Sequence, residues 1–234
     1  MLSMPIRSKK AESGNAMLEF ALVTVSLTFL FAGAFTIGAM LYLALQVSNV
    51  TRSAAVLMVR AVTDPTAGLN LAYAQNQRIL VREASGLGMA SDAQYDPSST
   101  GSAAIFLSQI ALVGNNECAA GITNVPNGVP PWTTSSCPNY GSYVFEYYVA
   151  VGNTTRWASA FGTPPAEDVE SNGSISAANI ASDTSDQVKS TTMTAVITLS
   201  PSHYALISET YADVSNISVF SVFKPPVIYY RTIS

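Results

Sequence analysis

The chain has 234 residues, of which 48% are hydrophobic and only 11% are charged, whereas about 25% of an ordinary soluble domain is charged. The formal net charge is −4, and from residue 61 onward six Lys and Arg residues stand against thirteen Asp and Glu residues. Because phosphate binding requires clustered basic side chains, this acidic remainder argues against nucleic acid as a partner.

The N-terminus combines a short basic segment with a long uncharged one. Residues 1–14 contain three basic residues and one acid, Glu12. No charged residue occurs from Phe20 to Thr51, and the strongly apolar part, Phe20 to Leu45, would form about 39 Å of helix. About 20 apolar residues suffice to cross a bilayer. We therefore predict a basic leader at 1–14 and a helix over 15–63 that spans membrane lipid and continues beyond it.

Basic residues and cysteines indicate the orientation of this helix. Three Lys and Arg residues precede the apolar segment, and Arg52 and Arg60 follow it, a weak bias towards a cytoplasmic N-terminus. Cys118 and Cys137 lie far beyond the segment and would form a disulfide in an oxidising compartment, whereas in a reducing cytoplasm they would remain thiols. We predict a single-pass protein with an exported, disulfide-bonded domain at 64–234. Two cysteines and a single histidine also predict no zinc site.

Small residues within the apolar segment allow two interpretations. Ala34 and Gly38 form a small-xxx-small pair with Gly33 beside them, which would permit close packing of helices. Alternatively, Ala32-Gly33-Ala34 is a small-x-small site for a signal peptidase. Strong hydrophobicity continues beyond that site, so cleavage there would leave an apolar N-terminus at Phe35.

The segment GNAMLEFALVTVSLTFLFAGAFTIG, followed by SNVTRSAAVLMVRA, resembles the TadE-like minor pilins, or pseudopilins, of tight-adherence systems in the type IV filament superfamily. The resemblance lies in the basic leader, Gly14, and the motif Glu19-Phe20-Ala21-Leu22 that opens the helix. It covers residues 14 to about 62 and does not extend into the remainder of the chain.

The resemblance implies a role for each of these residues. Gly14 would be recognised by a prepilin peptidase, and Asn15 would carry the new amino group. Glu19, next to Phe20, would pair with the N-terminal amine of a neighbouring pilin subunit as helices pack into a filament. Two opposite charges neutralise each other where water is absent, so the pairing is physically reasonable. The implied partners are other pilin subunits and an inner-membrane assembly platform.

Two helical patterns follow the membrane segment. Between Val47 and Ala61 apolar residues fall on one stripe, while Arg52 and Arg60 lie largely opposite. Asp64-Pro65 would end this helix. A second helix is predicted over about 70–84, with Tyr73, Ile79 and Leu80 on its apolar side and glycines at its end.

The sequence pattern beyond about residue 100 is typical of strands and turns. Alternating patterns predict strands at residues 192–199 and 143–151, the second with Phe145, Tyr147 and Val149 on one face. Two further apolar runs cover residues 216–223 and 227–233. We predict an α+β fold, in which the long helix packs on a small antiparallel sheet.

No pattern of catalytic or metal-binding residues stands out. The loop from Gly162 to Asp186 contains five acids, but their spacing matches no EF-hand, so we interpret it as a solvated acidic loop. His203, the single histidine, has no Gly-x-Ser-x-Gly elbow to accompany it and is expected at the surface after a strand. We predict no enzymatic activity, no cofactor and no metal.

The sequence therefore predicts a bacterial inner-membrane, pilin-like subunit for assembly of an adhesive surface filament, with its C-terminal domain periplasmic or extracellular. The alternative is a secreted or signal-anchored binding domain without a filament role. The N-terminal residue of the mature protein distinguishes the two, because it would be Asn15 in the first and Phe35 or Met1 in the second.

Overall fold

A computed structural model describes residues 10–63, 70–122, 132–213 and 227–234. In chain order the helices are α1 (Lys10–Thr63), α2 (Ala74–Glu83), α3 (Asn115–Gly121), α4 (Ala177–Ser182) and α5 (Ser190–Thr194). The strands are β1 (Ala103–Leu112), β2 (Tyr143–Gly152), β3 (Tyr204–Ala212) and β4 (Ile228–Ile233). Short 3-10 turns cover Ser85–Leu87 and Thr184–Asp186.

The four strands form one antiparallel sheet in the order β2-β1-β3-β4. Strand β1 is central, with Ile105 opposite Val151 on β2 and Thr210 on β3. It is buried on both faces, so its sequence AAIFLSQIAL is a nearly continuous apolar run without alternation. This arrangement confirms the predicted α+β fold, although β1 and β3 were not predicted individually.

Strand β2 contains an irregularity that reverses the face of its side chains. Gln109 is opposite Tyr147 but Ile110 is opposite Phe145, so Glu146 is an extra residue on the β2 side. Phe145 packs in the core on one face of the sheet, whereas Tyr147 and Val149 lie against the core on the other. The prediction that these residues share one face was therefore wrong from Glu146 onward, because a bulge shifts the alternation by one residue.

One face of the sheet is covered by α1 and α2. The buried stripe of α1 that packs there consists of Leu43, Val47, Val50, Ala54 and Met58. Arg52 and Arg60 lie outside this stripe and are exposed, with Arg52 at the edge of the interface, where it donates to the Tyr230 hydroxyl on β4 at 3.4 Å; this confirms the predicted amphipathic stripe. The helix ends at Thr63, immediately before the predicted stop at Asp64, which lies outside the described residues.

Helix α2 is shorter than predicted. It begins at Ala74, and Leu80 and Val81 are its buried residues, while Ile79 is 39% exposed and Tyr73, just before the helix, is 48% exposed. The placement of Tyr73 and Ile79 on a buried side was therefore wrong. Gly88, with φ +63°, adopts the left-handed conformation that ends the following 3-10 turn.

The opposite face of the sheet is covered by α3, α4, α5 and the loops between them. Here Phe106, Phe145, Phe161 and Met193 are buried. Residues 192–199 do not form the predicted strand, because Ser190–Thr194 forms α5 and Met193 enters this core from one helical turn. The apolar run predicted at 216–223 lies outside the described residues. The run at 227–233 is confirmed as β4.

Candidate membrane and assembly helix

The N-terminal half of α1 projects from the domain as an exposed apolar surface. Among the described residues, one helix is long and apolar enough to cross a membrane, and only 6% of its most apolar window is buried. Large hydrophobic side chains that are more than half exposed occur from Met17 to Leu45, including Phe20, Leu22, Val23, Phe29, Phe31, Phe35 and Ile37. Such a surface is unfavourable in water and suits a lipid environment. The candidate site is therefore the helix itself.

Polar side chains within this surface are satisfied inside the helix. The hydroxyls of Thr24, Ser26, Thr28 and Thr36 each donate to the carbonyl four residues earlier, at oxygen–oxygen distances of 2.7, 3.0, 2.8 and 2.8 Å. Lipid offers no alternative hydrogen-bond partner, so this internal bonding lowers the cost of placing hydroxyl groups in a bilayer. The segment is thus compatible with membrane insertion despite its Ser and Thr content.

Glu19 lies near the start of the exposed surface. Its side chain is exposed, and no basic group of the described part of the chain lies within ion-pair distance of its carboxylate. Gly14 and Asn15 belong to the first turns of α1, which begins at Lys10. The surroundings of these two residues lie outside what the structure describes. The helix therefore carries one acid at the edge of its apolar surface, and the structure provides no partner for that acid within the described chain.

Ala34 and Gly38 lie on the side of α1 opposite its buried stripe. Ala34 and Gly38 are exposed, and a Cβ atom added to Gly38 would contact nothing within 4 Å. Both residues stand two positions from the buried Thr36, and therefore point about 160° away from it on a helix of 3.6 residues per turn. Gly33 is also exposed, with free space around its added Cβ. The described part of the domain leaves the face of Ala34 and Gly38 open to another helix.

The disulfide lies far from the helix, on the opposite face of the sheet. Cys118 on α3 and Cys137 are bonded and fully buried, 19 residues apart in sequence, as predicted. The carbonyl of Ala181 on α4 lies 3.4 Å from the Cys137 sulfur. The bond thus joins α3 to the loop that precedes β2, next to α4.

His203 is exposed, as predicted, but it precedes β3 and does not follow a strand. Its Nδ1 lies 3.1 Å from the carbonyl oxygen of Pro201. The expectation of a preceding strand was wrong because residues 192–199 do not form one.

Two buried acids were not singled out by the sequence. Glu209 on β3 and Asp186 at the end of a 3-10 turn are both fully buried. Asp186 comes together with Asp168 and Asp183, with one oxygen from each carboxylate within 4.8 Å of the others. The interpretation of the acidic loop as solvated was therefore wrong for Asp186. The sequence offers no pattern that would predict this cluster, since the three acids are 15 and 3 residues apart in a turn-rich loop.

Residues 14–56 match the family model described as TadE-like protein. The match begins at Gly14, includes Glu19 and ends in the part of α1 that packs on the sheet, and it confirms the resemblance found in the sequence. Over this segment the chain is similar to TadE-like proteins, which connects it with tight-adherence pilus systems. No curated protein and no solved structure matches the chain.

Proposed function

We propose that this protein is a pilin-like subunit of a tight-adherence pilus system, anchored in the bacterial inner membrane by α1. In this proposal the N-terminus is cytoplasmic and the domain after residue 63 is periplasmic or extracellular. The protein acts through assembly and has no enzymatic activity. The observation that supports the proposal best is that the family match and the exposed apolar half of α1 coincide.

The proposed assembly step involves residues at the N-terminal end of the apolar surface. A prepilin peptidase cleaves after Gly14, so that Asn15 carries a free amine next to the membrane. That amine pairs with Glu19 of a neighbouring subunit, and Phe20 packs beside the pair. A carboxylate costs less at the membrane edge than at the bilayer centre, but helix packing in a filament would remove Glu19 from water, and there an amine compensates its charge. The position of Glu19 on an exposed surface supports an intermolecular partner.

The open face of α1 provides the contact between helices. Ala34 and Gly38 allow two backbones to approach closely, because neither carries a large side chain. Since the domain packs on the opposite side of the helix, subunits can associate through this face without displacing their own domains. The association involves other pilin subunits and the inner-membrane assembly platform.

The proposal is tested by replacing Glu19 with Gln in the full-length chain, in a cell that assembles the filament. We expect normal membrane insertion and domain folding but a loss of filament assembly, because the neutral amide cannot pair with the amine. Glu83→Gln, an exposed acid on α2, is the matched control and should assemble normally. Normal filaments in the Glu19 variant would overturn the assigned role.

The cleavage step is tested separately by intact mass measurement of the protein extracted from native membranes. A chain that begins at Asn15 supports the proposal, and an added methyl group would indicate processing of the new amine. A chain that begins at Phe35 would instead support the alternative, a secreted binding domain. A chain that retains Met1 would support a plain signal anchor.

A further inference from the structure

The loop before β3 brings together three carboxylates that are separate in the sequence. Asp168 lies in the loop after Phe161, Asp183 is the C-cap of α4, and Asp186 is the last residue of the following 3-10 turn. An oxygen of each carboxylate lies within 4.8 Å of an oxygen of the other two. Asp168 and Asp183 are half-buried, and Asp186 is 0% exposed.

Asp186 is the feature that distinguishes this group from an ordinary acidic surface. Neither of its carboxylate oxygens has a hydrogen-bond partner among the described residues. A buried carboxylate without a partner is unfavourable, because it has lost its hydration without compensation, and two further acids beside it add repulsion. The carboxylate therefore requires a cation or a proton to compensate it.

The neighbouring groups hold the other two carboxylates in place. The Asn179 amide donates to Oδ1 of Asp168 at 2.7 Å, and the Ser185 backbone N–H donates to Oδ1 of Asp183 at 2.8 Å. Among the described residues, the hydrogen bonds of each of these carboxylates engage only Oδ1, which leaves Oδ2 as a potential ligand atom. The positions of Asp168 and Asp183 are thus fixed without using both of their oxygens.

The turn that carries Asp183 and Asp186 is fixed by a buried amide. The Asn139 Nδ2 group donates to the carbonyl oxygens of Ile180 and Asp183 at 3.0 and 2.7 Å, and Asn139 is fully buried. Because Asn139 follows the disulfide residue Cys137 by two positions, the turn is tied to the disulfide-bonded loop. The carboxylates are therefore held by a rigid surrounding and not by a free loop.

We propose that Asp168, Asp183 and Asp186 bind one Ca²⁺ ion. Three carboxylates form an all-oxygen, highly charged ligand set, which hard divalent cations prefer over Zn²⁺. Ligand oxygens on opposite sides of Ca²⁺ are about 4.6–5.2 Å apart, whereas on Mg²⁺ they are about 4.0–4.2 Å apart. Separations within 4.8 Å are therefore compatible with Ca²⁺, and the flexible geometry that Ca²⁺ accepts, unlike the near-ideal octahedron of Mg²⁺, favours it here. Water and backbone carbonyls would complete the coordination.

The ion would join two parts of the chain that cover the outer edge of the sheet. Strand β2 is an edge strand, and two residues near these acids in the sequence bridge to it: Ser174, between Asp168 and Asp183, pairs with Tyr147, and Gln187, directly after Asp186, pairs with Val144. Binding of Ca²⁺ would connect the loop of Asp168 to the turn of Asp186. It would thereby stabilise the segments around Ser174 and Gln187 that cover β2. An edge strand that is covered in this way does not pair with other chains. The inference does not depend on the proposed pilus role.

The test uses the full-length protein in mild detergent, freed of divalent ions with a chelator. Ca²⁺ is titrated by calorimetry, and thermal unfolding is followed by near-UV circular dichroism with and without the ion. We expect saturable binding of one Ca²⁺, with a dissociation constant of about 10⁻⁴–10⁻³ M, as in extracellular calcium modules, a rise in Tm, and a weaker response to Mg²⁺. No calorimetric binding and no change in Tm at millimolar Ca²⁺ would overturn the proposal.

The Asp186→Asn variant distinguishes compensation of the buried carboxylate by a bound cation from compensation by a bound proton. In the ion-free protein this variant should be as stable as the natural chain or more so, since it removes an uncompensated buried charge, but it should lose at least tenfold in Ca²⁺ affinity. Asp168→Asn, which changes only a half-buried group, should also lose Ca²⁺ affinity. This variant replaces Asp186→Asn in the test if Asp186→Asn does not fold. Asp92→Asn, an exposed acid elsewhere, is the matched control. Undiminished Ca²⁺ binding in both site variants would refute the assignment.

Discussion

The hydroxyl groups of Thr51 on α1 and Thr210 on β3 are 2.7 Å apart and form a hydrogen bond across the helix–sheet interface. Both side chains are fully buried. Most of the surrounding contacts of α1 are apolar and therefore non-directional, whereas this bond, together with the hydrogen bond from Arg52 to the Tyr230 hydroxyl at 3.4 Å, favours one rotation and axial position of the helix on the sheet. Since the same helix continues as the exposed apolar segment, the pair also helps to fix the direction of that segment relative to the domain.

Thr51→Val should destabilise the domain by about 1–3 kcal/mol, because it leaves the buried Thr210 hydroxyl without its partner. The double variant Thr51→Val/Thr210→Val should recover most of this loss, since it removes both polar groups at nearly constant volume. Denaturant unfolding of the four proteins of this cycle in mild detergent measures the coupling. Additive effects of the two substitutions would show that the hydrogen bond contributes nothing.

Glu209 should be essential for the packing of β3 and β4 against the loop before α4. Its carboxylate accepts hydrogen bonds from the Ser159 hydroxyl, from the Ala160 N–H at 3.2 Å and from the Tyr229 hydroxyl at 2.8 Å. Glu209→Gln replaces one acceptor oxygen with a donor, so at least one of these groups loses its partner. We expect a loss of about 1–3 kcal/mol in the free energy of unfolding.

Tyr229→Phe is the comparison for Glu209→Gln. It removes a single hydrogen bond and leaves the Ala160 N–H on the same carboxylate oxygen, so the expected loss is smaller, about 1 kcal/mol. The order of the two variants in chemical denaturation is the decisive result. A Tyr229→Phe variant less stable than Glu209→Gln would contradict this description of the network.

The domain should lose stability in alkaline solution. Burial, and then the negative charge of Glu209, raise the pKa of Tyr211 to about 12 from an ordinary value of 10.0. Below pH 10 the phenol is protonated in both folded and unfolded chains. Above it the unfolded chain loses the proton first, so the free energy of unfolding falls as pH rises from about 10 to 12. Tyr211→Phe should make this decline shallower, as measured by unfolding midpoints across that pH range; an unchanged slope would exclude Tyr211 as a contributor.

The disulfide should be present in protein isolated without reductant. Alkylation with a thiol reagent should leave Cys118 and Cys137 unmodified until the protein is unfolded and reduced, since both are buried and bonded. The double variant Cys118→Ser/Cys137→Ser should lose about 3 kcal/mol of stability on the loop-entropy description. Complete alkylation of unfolded but unreduced protein would instead place these cysteines in a reducing compartment.

Secondary structure was predictable where one local pattern dominated. The helix α1 could be predicted because an uncharged apolar run and then an amphipathic stripe extend without interruption to Thr63. β2 and β4 had recognisable apolar runs, whereas the central strand β1 lacks alternation and β3 carries the charged Glu209 in its middle. Residues 192–199 alternate as a strand does, but they do not join the sheet, in which β1 and β3 are each paired on both sides. Met193 is instead buried through the helical turn of α5.

The sequence by itself determined the apolar helix, its single acid at Glu19 and the pairing of two cysteines, because each follows from composition or from adjacent residues. Only the tertiary structure decided which face of α1 remains open, since that depends on where the sheet packs. It also decided that Asp168, Asp183 and Asp186 meet and that Asp186 is buried. Side chains brought together by loop closure leave no periodic signal, because their proximity depends on the packing of α4 and β2 and not on their spacing.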